Sequence, residues 1–287
     1  MVQDHFISLF FSLALGWGAF FFASRNGFFR LPYSSWDSPA VSLKRVIIVF
    51  ALYVLISLFA VAIIIDIFMR IVSRETVNMQ TLSPEFHGWF NIATIILASL
   101  VLLIYALAVD RKGSEIWWWG KRKSFSAHFK DAGIGIATWV VSMPFVAIVG
   151  HLCALVLLFF IGEVDGEQVA VKQIKNLADS PILYKTMILL VILVVPIVEE
   201  VLFRGYLQGF LRTILGRKKA IVLSAIVFTL FHFSPSQGAK NLELLGSLFV
   251  LACFLGFLYE RQRSLIAPIA LHATFNAIST MMISFVT

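Results

Sequence analysis

The chain has 287 residues, 60% of them hydrophobic and 14% charged, with 28 phenylalanines and a net charge of +7; its mean hydropathy is +0.90. A soluble domain carries about 45–50% apolar residues and roughly a quarter charged ones, so a water-soluble globule is excluded, and so is a solvated disordered chain. The apolar residues fall in long blocks, each of which must cross lipid as a helix, and no sustained period-2 alternation marks a β-barrel.

The expected fold is therefore all-α, a polytopic membrane protein with about eight transmembrane helices, at 5–23, 46–68, 88–109, 133–161, 183–203, 219–233, 242–259 and 265–285. The first block is read as a retained membrane helix, because Met1 to His5 include Asp4 and no Lys or Arg, whereas a signal peptide starts with a basic segment. The fourth is long and holds Pro144, which predicts a tilt or kink. The sixth is short and ends at His232–Phe233, just before Pro235. Between the fourth and fifth, 163–185 is the longest polar stretch and reads as an outside loop or a short amphipathic helix.

Basic residues alternate between connections. Those after blocks one, three, five and seven hold sixteen: Arg25, Arg30, Lys44 and Arg45; six in the interfacial stretch 110–131; Arg212, Arg217, Lys218 and Lys219; Arg261 and Arg263. The other connections hold six, among them Arg70, Arg74 and Lys240. The excess marks the cytoplasmic side and puts both termini outside the cytoplasm of a bacterial-type cytoplasmic membrane. The positive charge is thus topological, and a nucleic-acid partner is not indicated. Trp117, Trp118 and Trp119, followed by Gly120 and Lys121-Arg122-Lys123, read as an interfacial anchor among lipid headgroups. Cys153 and Cys253, both inside apolar blocks, read as small hydrophobes.

An ionisable residue inside a span is costly and marks function by default. The last four blocks concentrate such residues: Glu199, Glu200 and Arg204 in the fifth, His232 closing the sixth, His272 and Asn276 in the eighth. Glu199, His232 and Asn276 each lie thirteen positions from a basic residue (Arg212, Lys219, Arg263), which is about 20 Å along a helix. His272 is about 14 Å from Arg263 by the same rise. Three helices thus bring polar groups to one level. Glu200 and Arg204 are i,i+4 with the acid first, the favourable order for an ion pair, which leaves Glu199, about 100° away around the helix, for chemistry. His272 and Asn276 share a face at i,i+4. Pro196 removes a backbone donor just before the acids. His151, Asp66 and Asp110 read as structural, the two acids lying near span ends where snorkelling is cheap.

A carboxylate, two imidazoles and a carboxamide can activate water and hold an oxyanion: Glu199 takes the proton, His232 orients the water, His272 and Asn276 donate to the tetrahedral oxygen. Glu199, His232 and His272 are equally an alternative ligand set for a divalent metal such as zinc. Without an HExxH pair, spacing does not choose. A proton relay in a transporter and a non-catalytic membrane scaffold or immunity protein are the competing classes; no pair of matched half-repeats supports the transporter.

Glu199-Glu200-Val-Leu-Phe-Arg204, Phe228-Thr-Leu-Phe-His232 and His272-Ala-Thr-Phe-Asn276 resemble, in order and spacing, the EExxxR, FxxxH and HxxxN motifs of the CPBP family, the membrane proteases related to type II CAAX prenyl endopeptidases. The resemblance covers 183–285; the first four blocks show no matching motif. It divides the chain into N-terminal membrane helices, 1–182, and a catalytic core, 183–287. It implies an intramembrane endopeptidase in which Glu199 activates water with His232, His272 and Asn276 as partners and Glu200 and Arg204 in support. It also implies a hydrophobic or lipid-modified peptide substrate. Both metallo- and glutamate-dependent routes are described for the family, and its bacterial members are linked to peptide processing or self-immunity.

Overall fold

The computed structural model describes residues 2–32, 41–72, 83–119, 124–162 and 168–286. Lys121, Arg122, Lys123, Gly120 and Arg74 lie outside the described residues, as does 163–167 at the start of the polar stretch. The remaining polar stretch carries one short helix, Val169–Lys175. Every regular element among the described residues is helical.

Helix α1 (Val2–Arg25) lies against α6 (Phe125–Phe160). Helix α2 (Leu43–Leu55) is capped by Ser42 and runs through a π-helical turn, Ile56–Ala60, into α3 (Val61–Val72). Helix α4 (Pro84–Ala108) starts with Ser83 capping and Pro84 in the first turn, the position where a proline costs no hydrogen bond. Helix α5 (Arg111–Trp119) is short. Helix α6 continues as one helix of 36 residues through Pro144. After α7 (Val169–Lys175) comes a long composite helix built from α8 (Pro181–Leu189), α9 (Val195–Glu200) and α10 (Gly209–Leu215), with π-helical stretches Leu190–Val194 and Val201–Gln208 between them. Helices α11 (Arg217–Leu230), α12 (Asn241–Gln262) and α13 (Ile266–Val286) complete the chain.

Seven helices among the described residues are long and apolar enough to cross a membrane. The sixth expected span, 219–233, is the shorter α11, with 14 residues. At about 1.5 Å per residue it extends about 21 Å, less than the roughly 30 Å hydrocarbon core. The chain leaves it at His232, and a 3-10 segment, Pro235–Lys240, leads into α12.

Buried ion pairs and hydrogen bonds gather the basic connections at one end of the bundle. Glu260, fully buried near the end of α12, accepts from Arg217 at 2.9 Å and lies 3.6 Å from Arg212. Arg217 also donates to the Pro32 carbonyl. Arg45 binds Asp110 at 2.8 Å, and Ser264 donates to Asp131. The ends of α1, α4, α10 and α12 and the starts of α2, α6, α11 and α13 therefore share one side. At the other side His5 meets His151 at 3.3 Å and Ser180 donates to Glu85. The chain thus returns between α10 and α12 even though α11 is short. Asp110 does not snorkel: it is 4% exposed, because Arg45 supplies the charge that water would otherwise provide. Asp66, by contrast, pairs with Arg70 on the exposed surface.

The composite helix 181–215 is central: half of its apolar window is buried inside the protein, against 11% for α1. The bands of exposed Phe, Leu and Ile on α1, α2, α4 and α6 face lipid, where apolar exposure carries no penalty.

Trp117 is not the membrane anchor that its neighbours suggest. It is fully buried, its ring 4.7 Å from that of Tyr206 in an edge-on contact. A Cβ on Gly205 would come within 3.2 Å of the indole, so glycine permits this close packing. The Trp117 carbonyl accepts from the Leu265 amide at 2.9 Å, holding the turn before α13. A large aromatic yields more free energy when packed in a well-fitted pocket than at a wet interface, and α5 folds back to provide one. Trp118 is half-buried, and His128 bonds its carbonyl; the side chain of Trp119 lies outside the described residues.

Candidate active site

Glu199 and Glu200 sit between the two π-helical stretches of the central helix. π-Helical turns open a helix locally and are frequent at functional sites. Here the first has a readable cause. The Val195 amide donates to Leu190 O, an i to i−5 bond; the next bond in that register would run from residue 196 to Val191 O. Pro196 has no N–H, and Asn276 fills the gap: its Nδ2 donates to Val191 O at 2.9 Å. The motif asparagine is therefore tied to the proline-interrupted helix, with one amide proton committed and a second left over.

Glu200 is fully buried. Its Oε1 accepts from Arg204 Nη1 at 2.8 Å and lies 2.9 Å from His272 Nδ1. Arg204, also fully buried, donates from Nη2 to Ala252 O at 3.1 Å and stands 4.6 Å over the Phe228 ring. Four residues further, Gln208 donates to Gly256 O at 3.0 Å and lies 3.4 Å from Glu260, while Ser224 donates to its Oε1. Residues 200, 204 and 208 thus form a polar stripe that docks on positions 252, 256 and 260 of α12. Gly256 is required for this approach, since a Cβ there would lie 2.7 Å from Gln208 Oε1. The charges are buried because each has a partner.

Glu199 projects elsewhere. Its Oε1 lies 3.9 Å from His232 Nε2 and its Oε2 3.7 Å from His272 Nε2. Both gaps exceed a hydrogen bond, and Oε2 is buried with no hydrogen-bond partner. The tautomer of His232 follows from its other nitrogen: Nδ1 is 2.9 Å from Phe228 O, a carbonyl can only accept, so Nδ1 carries the proton and Nε2 faces Glu199. His232 is also in contact with the Phe228 ring, at 4.7 Å between centroids. Its side chain is 31% exposed, against 12% for Glu199 and 5% for His272, so the site opens past His232.

The six residues expected from the sequence converge. Glu199, His232 and His272 face one another; Glu200 and Arg204 hold His272 from behind; Asn276 braces the helix that carries the acids. Sequence reasoning paired Glu200 with Arg204 and missed its bond to His272, which no spacing reveals because 72 residues separate the two. Gln208 was missed as well, although it continues the four-residue repeat of Glu200 and Arg204. Beside Glu199, a small recess of about 50 Å³ is walled by α2 with the π-helical turn that follows it, α4 and α9, with Tyr53, Ser57 and Thr94 among its polar lining groups.

A carboxylate and two imidazoles are suitable zinc donors in kind. Among the described residues, however, no group of three His, Cys, Asp or Glu side chains stands close enough together to hold a metal ion as they are placed, and the chemistry proposed for the site uses the side chains alone.

Fold and site define a multi-pass helical membrane protein with a buried, hydrogen-bonded set of acids and histidines. Residues 181–278, about a third of the chain, match the family model of type II CAAX prenyl endopeptidase Rce1-like proteins, so this part of the chain is similar to that family. The comparison with curated proteins gives no match, and neither does the comparison with solved structures.

Proposed function

We propose that the protein is an intramembrane endopeptidase that hydrolyses a peptide bond of a hydrophobic or lipid-modified peptide, using water activated by Glu199. The observation that carries this reading is the placement of the Glu199 carboxylate opposite Nε2 of both His232 and His272, at 3.9 and 3.7 Å. A water off the lines joining these atoms reaches the carboxylate and His232 together. Glu199 removes a proton from this water as its oxygen adds to the scissile carbonyl carbon. His232 accepts the other water hydrogen at Nε2 and fixes the direction of attack.

The carbonyl oxygen becomes an oxyanion. A doubly protonated His272 gives Nδ1–H to Glu200 and Nε2–H to that oxygen, and the second amide proton of Asn276 adds to it. Glu199 then passes its proton to the amide nitrogen, the oxyanion returns to C=O as the C–N bond breaks, and a carboxylic acid and an amine leave, the acid giving its proton to the amine. The Glu200–Arg204 pair keeps a fixed negative charge behind His272, as the carboxylate does in an acid–histidine pair. Low water content strengthens each contact. The basic end of the bundle is the cytoplasmic side, both termini lie opposite, and helices 1–182 form the unit against which the catalytic core 183–287 is set.

The test is cleavage of a quenched fluorogenic peptide carrying a thioether-linked isoprenoid on its cysteine, by the purified full-length protein in nanodiscs. Wild type cuts it and Glu199→Gln, folded normally, does not; cleavage by Glu199→Gln at the wild-type rate refutes the mechanism.

A further inference from the structure

The recess beside Glu199 is not made by the CAAX-protease-like segment alone. One wall is α9, with Val195, Val198 and Glu199, but the facing walls are α2 and α4, which lie outside residues 181–278. Neither histidine lines it, so Glu199 stands at the boundary between the imidazoles on one side and this recess on the other.

The polar groups of the recess differ in what they have left to offer. Thr94 donates its hydroxyl to Phe90 O at 2.9 Å and Ser99 donates to Ile95 O at 2.6 Å. Both hydroxyls are satisfied within their own helix and present little more than carbon to the space between, beside Ile95 and Ala98. Tyr53 and Ser57 remain, one turn apart where α2 enters the π-helical stretch Ile56–Ala60. Tyr53 and Ser57 line the recess together with Glu199 and are hydrogen-bonded to each other; with the Ser57 hydroxyl donating to the phenol oxygen, the Tyr53 O–H stays available. With the aliphatic lining on three sides, a phenol O–H is the donor this wall can extend to an occupant.

A peptide entering a membrane-embedded site brings backbone N–H and C=O groups that must be paired, because an unpaired one costs kilocalories in a water-poor space. His272 and Asn276 serve the scissile carbonyl, and His232 serves the water. The next peptide unit, on the side of Glu199 that faces the recess, needs a partner of its own, and the groups there are the hydroxyls of α2.

We propose that Tyr53 is a substrate-binding residue, donating its O–H to a main-chain carbonyl of the bound peptide in a subsite that the N-terminal helices build beside Glu199. The proposal rests on the peptidase reading given above. It makes α2 a functional part of the site. It also assigns the residue a task in binding: the hydrogen bond exists before and during attack, so it acts on affinity and leaves turnover alone.

The experiment has two arms, both with the isoprenoid-bearing fluorogenic peptide and full-length protein in nanodiscs. In the cleavage arm, Tyr53→Phe keeps the ring and loses only the donor. One neutral hydrogen bond is worth about three- to tenfold, so KM rises by about that factor while kcat stays within about twofold. In the binding arm, Glu199→Gln and Glu199→Gln with Tyr53→Phe are compared by fluorescence anisotropy, and the double variant binds the probe more weakly by the same factor. Unchanged KM and unchanged affinity overturn the proposal, and so does a fall in kcat at constant KM, which would mean that Tyr53 acts on Glu199 instead. Cleavage by wild type with no effect of Tyr53→Phe removes this proposal alone. A wild-type protein that neither binds nor cuts the probe removes the peptidase reading and this proposal with it. Thermal unfolding of Tyr53→Phe matching wild type confirms that the fold is intact.

Discussion

Glu200 Oε1 lies 2.9 Å from His272 Nδ1, joining the central helix to α13 through a buried acid–histidine contact between residues 72 positions apart. The same oxygen takes the Arg204 guanidinium at 2.8 Å. Glu200 therefore has two tasks, balancing a buried cation and orienting an imidazole. Glu199, its neighbour in sequence, has no direct hydrogen bond to either ring. Adjacent glutamates on one helix are differentiated by what the other helices bring to them.

Replacing Glu199 by Gln removes a proton acceptor at the least committed position of the site while keeping its shape. Turnover of the isoprenoid-bearing peptide is expected to fall by about 10²–10⁴-fold with thermal unfolding in detergent little changed, because no direct hydrogen bond to Glu199 is lost. Parallel cleavage and melting curves make the check. A large loss of stability would place Glu199 in the structural set.

Glu200 behaves in the opposite way. Glu200→Gln leaves Arg204 as an uncompensated buried charge, which costs about 3–5 kcal/mol, and it also frees His272 to rotate. A lower melting temperature and lost activity are expected together. Replacing both Glu200 and Arg204 by Met removes the buried charges as a pair; it should recover most of the stability and none of the activity. Thermal melts of the two singles and the double form a cycle that reads the coupling.

Asn276→Leu strips Val191 O of its donor at the point where Pro196 has already removed the helical one. The cost is about 1–3 kcal/mol for a buried carbonyl left unpaired. Restoring an amide donor with Pro196→Ala in the same chain is expected to recover part of that stability while activity stays low, since the second Asn276 proton is still missing. Stability that does not respond to Pro196→Ala would mean that the two residues are uncoupled.

Trp117→Ala is expected to destabilise the protein by about 3–5 kcal/mol, the cost of emptying a large aromatic site in a core, as measured by thermal unfolding. Trp118→Ala, at a half-buried neighbour, should cost less. Equal small effects at both positions would restore the interfacial-anchor reading of the tryptophan run.

Much of the site was legible because its residues break the rule of the medium. Glu199, Glu200, Arg204, His232, His272 and Asn276 stand in apolar blocks, and i,i+4 arithmetic pairs Glu200 with Arg204 without any tertiary information. The same arithmetic reaches Gln208, which was missed. Tyr53, Ser57 and Trp117 could not be recognised this way. A tyrosine or tryptophan in a membrane helix is compatible with lipid, interface or core, and only the element packed against it decides among these. The sixth block, already short in the sequence, is a helix of 14 residues; its length is set by the turn at His232, whose ring bonds Phe228 O, and hydropathy does not report that.

Composition and spacing alone determined that this chain is a multi-pass helical membrane protein, that its basic residues mark alternate connections, and that a few ionisable groups lie at a common level on three helices. Those properties follow from the cost of charge in hydrocarbon and from a fixed helical rise, both of which act locally along the chain. Tertiary structure alone decided which glutamate is committed to buried partners and which has no direct hydrogen bond to either histidine, that Asn276 supplies the donor Pro196 cannot, that Trp117 supports the turn into α13, and that α2 brings Tyr53 to the recess beside Glu199. Each depends on which groups meet across helices, and in a bundle that is set by close packing between faces distant in sequence.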